Sequence, residues 1–345
     1  MKIPFTNLGR VYESHSTAFL SEADRIWSSG LIYNHEVVSE FENNIKQYAQ
    51  SKYCISVASG TDALIIALRS FGIGYGDDVI TSPYSYIATA NAVKNTGANP
   101  IFCDVNPDTL MLAPENLHEV LTANTKAIVP VHLFGQPYHA QSELVKYAKE
   151  HNLYIIEDNA QSFGACKMFG HAAAYSFDPM KTLGSFGPGG AIATNASDAA
   201  KQAFCLRRQG LQKGVCIEAG YNTRLPSLEA ALLRIRLENF EADLQRRREI
   251  ANTWIRQLSG RCHIVGRTCR DNTWHKFVLL CNNRDQIQQW LQEHGIETKI
   301  HYDPIIPLHP AYIDVQGSWR TAQNQSKFAL SLPIYAELTD SEIEY

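Results

Sequence analysis

The sequence lacks the marks of several protein classes. Met1-Lys2-Ile3-Pro4 has no basic start, apolar stretch or small-residue cleavage site of an export signal, and no apolar run approaches the roughly 18 residues that span a bilayer. No C-x-x-C pair occurs among the eight scattered cysteines (54, 103, 166, 205, 216, 262, 269, 281). Several lie in apolar runs such as Tyr53-Cys54-Ile55, so free buried thiols are expected rather than disulfides or a metal site, and a cytoplasmic location with them. Long blocks of one charge are also missing: 31 Lys and Arg stand against 35 Asp and Glu, a net charge of −4, which calls for neither nucleic acid nor membrane as partner. Gly72-Ile73-Gly74-Tyr75-Gly76 departs from G-x-G-x-x-G spacing and no G-x-x-x-x-G-K-[ST] occurs, which argues against a dinucleotide dehydrogenase or a P-loop enzyme. Internal repeats and low-complexity segments are absent.

What is present is enough apolar residue for more than one core. A chain of 345 residues that is 45% hydrophobic exceeds what a single core usually holds, so two domains are expected. Short apolar runs at 53–57, 78–81, 100–105, 127–133, 153–157, 172–177 and 191–194 read as buried strands. Helical spacing at 61–70, 87–96, 114–121, 140–151 and 198–208 separates them, and such alternation predicts an α/β domain with a mixed, mostly parallel sheet flanked by helices. After Pro226 one long helix is expected over 227–258, then a strand at 276–280, a helix at 285–294, a short strand at 298–301, a Pro-rich loop and two final helical stretches. This predicts a large domain over 1–235 and a smaller α+β domain over 236–345. The closing Thr339-Asp340-Ser341-Glu342-Ile343-Glu344-Tyr345 begins a capped helix and stops after about a turn and a half, so a shortened C-terminus is expected.

Three segments carry chemistry. Ser176-Phe177-Asp178-Pro179-Met180-Lys181 sets a lysine just past a buried strand and before the glycine-rich Gly187-Pro188-Gly189-Gly190. A lone lysine there is usually a solvated charge, but one desolvated in a site can lose its proton and form a Schiff base. Glu157-Asp158-Asn159-Ala160-Gln161 ends a strand in two carboxylates, which can be metal ligands and more commonly only cap a helix, but in a pyridoxal enzyme an aspartate there can keep the cofactor's ring nitrogen protonated. Ser59-Gly60-Thr61 turns from strand to helix, a place that either caps the helix or binds phosphate on backbone N–H groups.

Together these segments resemble the DegT/DnrJ/EryC1/StrS sugar aminotransferases, a branch of the fold type I pyridoxal-phosphate enzymes. The likeness extends to Gly30-Leu31-Ile32-Tyr33-Asn34 before the first helix, to Ser82-Pro83-Tyr84-Ser85-Tyr86-Ile87-Ala88-Thr89-Ala90-Asn91, to Gly220-Tyr221-Asn222-Thr223-Arg224-Leu225 and to Gly295-Ile296-Glu297-Thr298-Lys299-Ile300-His301-Tyr302. The resemblance implies pyridoxal 5'-phosphate as cofactor and no metal. It gives Lys181 the Schiff base, Asp158 the ring nitrogen, Gln161 the ring oxygen, Tyr86 the ring face, and Gly60, Thr61 and Ser176 the phosphate. Asn222 would reach the cofactor phosphate of the neighbouring subunit, which implies a homodimer with shared sites.

It also implies L-glutamate as amino donor and a nucleotide-linked keto-deoxysugar as acceptor, with Arg224, Tyr302 and His309 as acceptor contacts. His309, flanked by prolines, can equally be a loop-packing residue. Trp274-His275-Lys276-Phe277 and the His301 segment look closer to relatives that aminate C3 than C4. Other acceptors, such as a keto-cyclitol, and a non-catalytic regulator that kept the fold are the alternatives; a sugar 3-dehydratase of this fold would carry His where Lys181 stands. The chain departs from the family pattern in a short hairpin at 164–171, in Pro188 and in Gln209.

Overall fold

The computed structural model describes residues 1–33 and 35–345; Asn34, from the Gly30 segment, lies outside the described residues. The chain opens with helix α1 (Leu8–Ser29), capped by the Asn7 side chain and ended by Gly30 in the left-handed region, φ +68°. This corrects the expectation that the first helix follows residue 34. Only Val11, Phe19, Ala23 and Ile26 of its 22 residues are buried, a stripe too thin to stand out.

Seven strands form the main sheet: β1 (Tyr53–Val57), β2 (Asp78–Thr81), β3 (Asn99–Phe102), β4 (Thr125–Val129), β5 (Tyr154–Asp158), β6 (Ala172–Ser176) and β7 (Gly190–Thr194). Their order is β1-β7-β6-β5-β4-β2-β3, with β7 antiparallel to β6 and β1 and the other pairs parallel. Helices α2 (His35–Ala49), α3 (Gly60–Ser70), α4 (Ala88–Asn95), α5 (Leu117–Val120), α6 (Gln141–Glu150) and α7 (Ser197–Leu206) flank it. The segment expected as one helix at 114–121 is a 3₁₀ turn, Pro114–Asn116, followed by the four-residue α5. One face buries Leu64, Ile66, Val93 and Leu206; the other buries Phe41, Phe177 and Phe240 around Phe163. Such strands, buried on both sides, explain the nearly continuous apolar runs.

Beyond the exposed hairpin β8 (Leu211–Gln212) and β9 (Val215–Cys216) come α8 (Ser227–Glu238) and α9 (Phe240–Leu258). The expected single helix is two, broken at Asn239, whose φ −110° and ψ 5° leave the helical region. The expected boundary at 235/236 falls in the last turn of α8. A second, antiparallel sheet follows, of β10 (His263–Ile264), β11 (Phe277–Leu280) and β12 (Ala329–Leu332), with α10 (Arg284–Glu293), α11 (Arg320–Ser326) and α12 (Asp340–Glu344). β12 corrects part of the region expected as helical. The strand expected at 298–301 is a lone bridge, Lys299 to Ser331. Ile3 from the N-terminus packs into this second core beside Phe277 and Leu330. Among the described residues no helix is long and apolar enough to cross a membrane.

Candidate active site

The parallel strands end at a cavity of about 660 Å³, within the range of small-molecule sites. At one end lies the start of α3. Ser59 caps it, its Oγ accepting from the Asp62 N–H at 3.1 Å, and the Ala63 N–H bonds the Ser59 carbonyl at 3.0 Å. That leaves the Gly60 and Thr61 N–H groups without a protein partner among the described residues, facing the cavity beside Ser176. Two free N–H groups at the positive end of a helix form an anion site. Gly60 is required there: a Cβ would lie 2.5 Å from the Ser176 Cβ, so any larger residue would push α3 off β6.

The floor is the end of β5. Asp158 is 4% exposed; its Oδ2 accepts from the Thr89 hydroxyl at 2.8 Å and its Oδ1 from the Ala160 N–H at 3.1 Å. Burial pushes this carboxyl above its ordinary value, opposed by those two hydrogen bonds and by the charge of Lys181. Glu157 points to the opposite face, as strand alternation requires. It is wholly buried, accepts from the Phe169 and Gly170 N–H groups at 2.8 and 2.7 Å, and faces His132 Nε2 at 3.1 Å. The Tyr138 N–H donates to His132 Nδ1, which leaves the Nε2 proton for Glu157. The second carboxylate of the strand is thus a clamp on the short 164–171 hairpin and lies outside the cavity lining.

Lys181 follows β6 in a tight turn, its N–H on the Asp178 carbonyl at 2.9 Å. Gly184 lets that turn close, since a Cβ would come 2.6 Å from the Asp178 oxygen. Burial pushes the Lys181 amine down, opposed by the charges of Asp158 and Asp178, so the neutral nucleophile is favoured more than on a surface lysine. Gln161 is held with its Oε1 on the Phe134 N–H at 3.0 Å; its Nε2 lies 3.4 Å from the Tyr302 hydroxyl.

Gly60, Thr61, Tyr86, Asp158, Gln161, Ser176, Lys181 and Tyr302 therefore line one cavity. Tyr86, 56% exposed, stands at the mouth with its ring 6.3 Å from that of Tyr302. Three expected residues lie elsewhere. Asn222 is exposed, Arg224 stacks on Tyr33 at 4.1 Å and lines a separate small cleft, and His309 sits in the 3₁₀ turns of the Pro-rich loop. Nothing in the sequence pointed to Phe5, and Ser85, Thr89, Lys276 and Lys299 stood out there only as parts of longer matching runs; nothing local marks Thr89, which meets Asp158 across 69 residues.

The chain is similar to known proteins over nearly its whole length. Residues 14–345 match the model of the DegT/DnrJ/EryC1/StrS aminotransferase family. A dTDP-3-amino-3,6-dideoxy-alpha-D-galactopyranose transaminase of Aneurinibacillus thermoaerophilus is 36% identical over 99% of this chain and 97% of its own length. A pleiotropic regulatory protein of Geobacillus stearothermophilus is 32% identical over 100% and 96%. The structure of S. venezuelae DesV in complex with a ketimine intermediate superposes with a TM-score of 0.94, at 33% identity, over 99% of this chain and 96% of that one. The family's model over residues 14–345, with relatives 32% and 36% identical over nearly the whole chain, makes this chain a member of the DegT/DnrJ/EryC1/StrS aminotransferase family, a sugar transaminase whose cofactor is pyridoxal phosphate.

Proposed function

We propose that the protein transfers the amino group of L-glutamate to a nucleotide-linked keto-deoxysugar, at C3 rather than C4, in amino sugar biosynthesis. The observation that carries the reading is the single cavity in which Lys181, Asp158, Gln161 and the open end of α3 converge. These residues fit the cofactor in chemistry as well as number. Phosphate would lie on the Gly60 and Thr61 N–H groups and the Ser176 hydroxyl, the ring nitrogen against Asp158, the ring oxygen near Gln161, and Tyr86 over the ring. Bound pyridoxal phosphate supplies an electron sink that makes the carbon bearing the substrate's amine acidic.

The chain's own residues do the rest. Asp158, whose ionised form Thr89 and Ala160 stabilise against the effect of its burial, would hold a proton on the ring nitrogen. Lys181 Nζ would hold the cofactor and, as the neutral base that desolvation favours, would take and return the substrate proton. Tyr302, Arg224 and His309 are the proposed acceptor contacts. Arg224 and His309 lie outside the cavity of their own chain, as does Asn222, and the reading assigns Asn222 to the partner's phosphate in a homodimer. Trp27, Leu31, Ile32, Val215 and Ile217 are large apolar side chains left exposed in the single chain, which a partner subunit would cover. The reading divides the chain into a cofactor domain, 1–235, and a smaller domain, 236–345. Eight free cysteines favour a reducing compartment such as the cytoplasm.

Incubation with amine-¹⁵N L-glutamate and a panel of 3- and 4-keto nucleotide sugars tests the proposal by mass spectrometry. The expected result is ¹⁵N in a 3-amino sugar nucleotide. Conversion of the cofactor by glutamate with no transfer to any keto sugar nucleotide would overturn it.

A further inference from the structure

The wall of the cavity beside Lys181 carries two lysines that the roles above leave unused. Lys276, one residue before β11, is only 8% exposed, and its Nζ makes no hydrogen bond or ion pair among the described residues. Losing water without a counter-charge is costly, so such an amine either sheds its proton or meets an anion that enters the cavity. Lys299, exposed at the rim, shares an aromatic neighbour with it: the two Nζ atoms lie 5.7 and 5.0 Å from the Phe5 ring centroid. Phe5 is tied down through its N–H to Glu297 at 3.0 Å.

Lys276 has little freedom to withdraw. Its N–H bonds the Phe134 carbonyl at 3.2 Å, and Gly135, at φ +102°, lets the two loops cross where a Cβ would lie 2.6 Å from Thr273 Oγ1. The cavity's acidic groups do not answer it directly. Asp158 is taken by Thr89 and Ala160, and Asp178 Oδ1 accepts from the Met180 N–H. The two histidines beside it add no negative charge, and burial next to Lys276 and Lys299 pushes His301 down to about 2. A cofactor phosphate has its own donors at the start of α3.

We propose that Lys276, with Lys299 at the rim, is a carboxylate-binding subsite for one of the two substrates of the amino transfer. The inference rests on the aminotransferase reading and adds a substrate group to it. The carboxylate has two possible sources, the amino donor or an acid group on the acceptor sugar, and both meet the same ammonium.

The test uses the holoenzyme and the variants Lys276→Met, which keeps the length of the stem, and Lys276→Arg. Calorimetry with glutarate, a dicarboxylate without an amine, is combined with KM for L-glutamate and with KM for a nucleotide-linked keto-uronate and its neutral keto-hexose counterpart. If the donor supplies the carboxylate, Lys276→Met weakens glutarate binding and raises the glutamate KM, each about tenfold or more, and Lys276→Arg restores much of both. If the acceptor supplies it, the glutamate values hold and the keto-uronate KM rises about tenfold relative to the neutral sugar. Glutarate affinity, glutamate KM and the uronate-to-neutral ratio all within twofold of wild type would overturn the proposal. An unchanged thermal midpoint and cofactor absorbance show that Lys276→Met is folded and loaded. Failure of wild type to react with any amino acid would sink the aminotransferase reading, while the glutarate titration still reads the subsite.

Discussion

Thr89→Val removes one hydroxyl and little else, and it should slow the enzyme strongly. The Thr89 Oγ1 donates to Asp158 Oδ2 at 2.8 Å, with both residues nearly sealed from solvent, at 2% and 4% exposed. Valine has the same shape, so no cavity forms. A hydrogen bond to a charged group contributes about 1.5–3 kcal/mol, and about 1.4 kcal/mol is a factor of ten, so stabilisation of ionised Asp158 falls by roughly 10- to 100-fold. Burial already holds this carboxyl above its ordinary value, and loss of the hydroxyl moves it higher still. In the proposed reaction Asp158 acts as the anion, so activity is retained above its pKa and lost as pH falls through it; the acid limb of the rate profile therefore shifts to higher pH. Ser85, 3.0 Å from Thr89, loses a partner as well, which costs about 1 kcal/mol of stability. Stopped-flow absorbance of the bound cofactor after mixing with L-glutamate measures the half-reaction, and Thr89→Ser should restore most of it. A Thr89→Val enzyme within twofold of wild type, with an unmoved acid limb, would refute the assignment of Thr89 as the residue that keeps Asp158 ionised.

Three further outcomes follow from the same structure. Gly60→Ala forces α3 away from Ser176 and should weaken cofactor affinity about tenfold or more, read by titrating the apoenzyme with pyridoxal phosphate. Glu157→Gln places an amide where two backbone N–H groups and His132 all donate, so its melting midpoint should fall by several degrees, for a loss of about 1–3 kcal/mol, although Glu157 lies outside the cavity lining. Burial, with Lys181, Lys299 and Arg247 nearby and Asp178 opposing, pushes Lys276 down to about 7. Its ammonium form is therefore lost as pH rises through about 7, and glutarate affinity should drop over that interval in wild type but stay flat in Lys276→Met.

Much of the large sheet was legible because each strand is a short apolar run closed by turn residues; β1 and β2 start and end where the pattern says, and the others differ by a few residues. Strand direction was not legible, since the buried β7, which runs antiparallel, has the same composition as its parallel neighbours. The break at Asn239 has no proline or glycine to announce it, and β12 is too short for a period-2 pattern. Within the site, Lys181, Asp158 and Gly60 were readable because each sits at a strand end or helix start whose chemistry is local. Thr89 and Lys276 matter through contacts across the fold, from α4 to β5 and from the second sheet to the first, and a residue's own neighbours in sequence say nothing of these.

In the proposed reaction Lys181 carries the cofactor. Visible absorbance of the purified protein, before and after L-glutamate, compared between wild type and Lys181→Ala, tests it most directly. Wild type should show a visible cofactor band that glutamate bleaches, and Lys181→Ala should lose both the native band and turnover. A Lys181→Ala protein that keeps the band, its bleaching by glutamate and the amino transfer would rule Lys181 out as the residue that holds the cofactor.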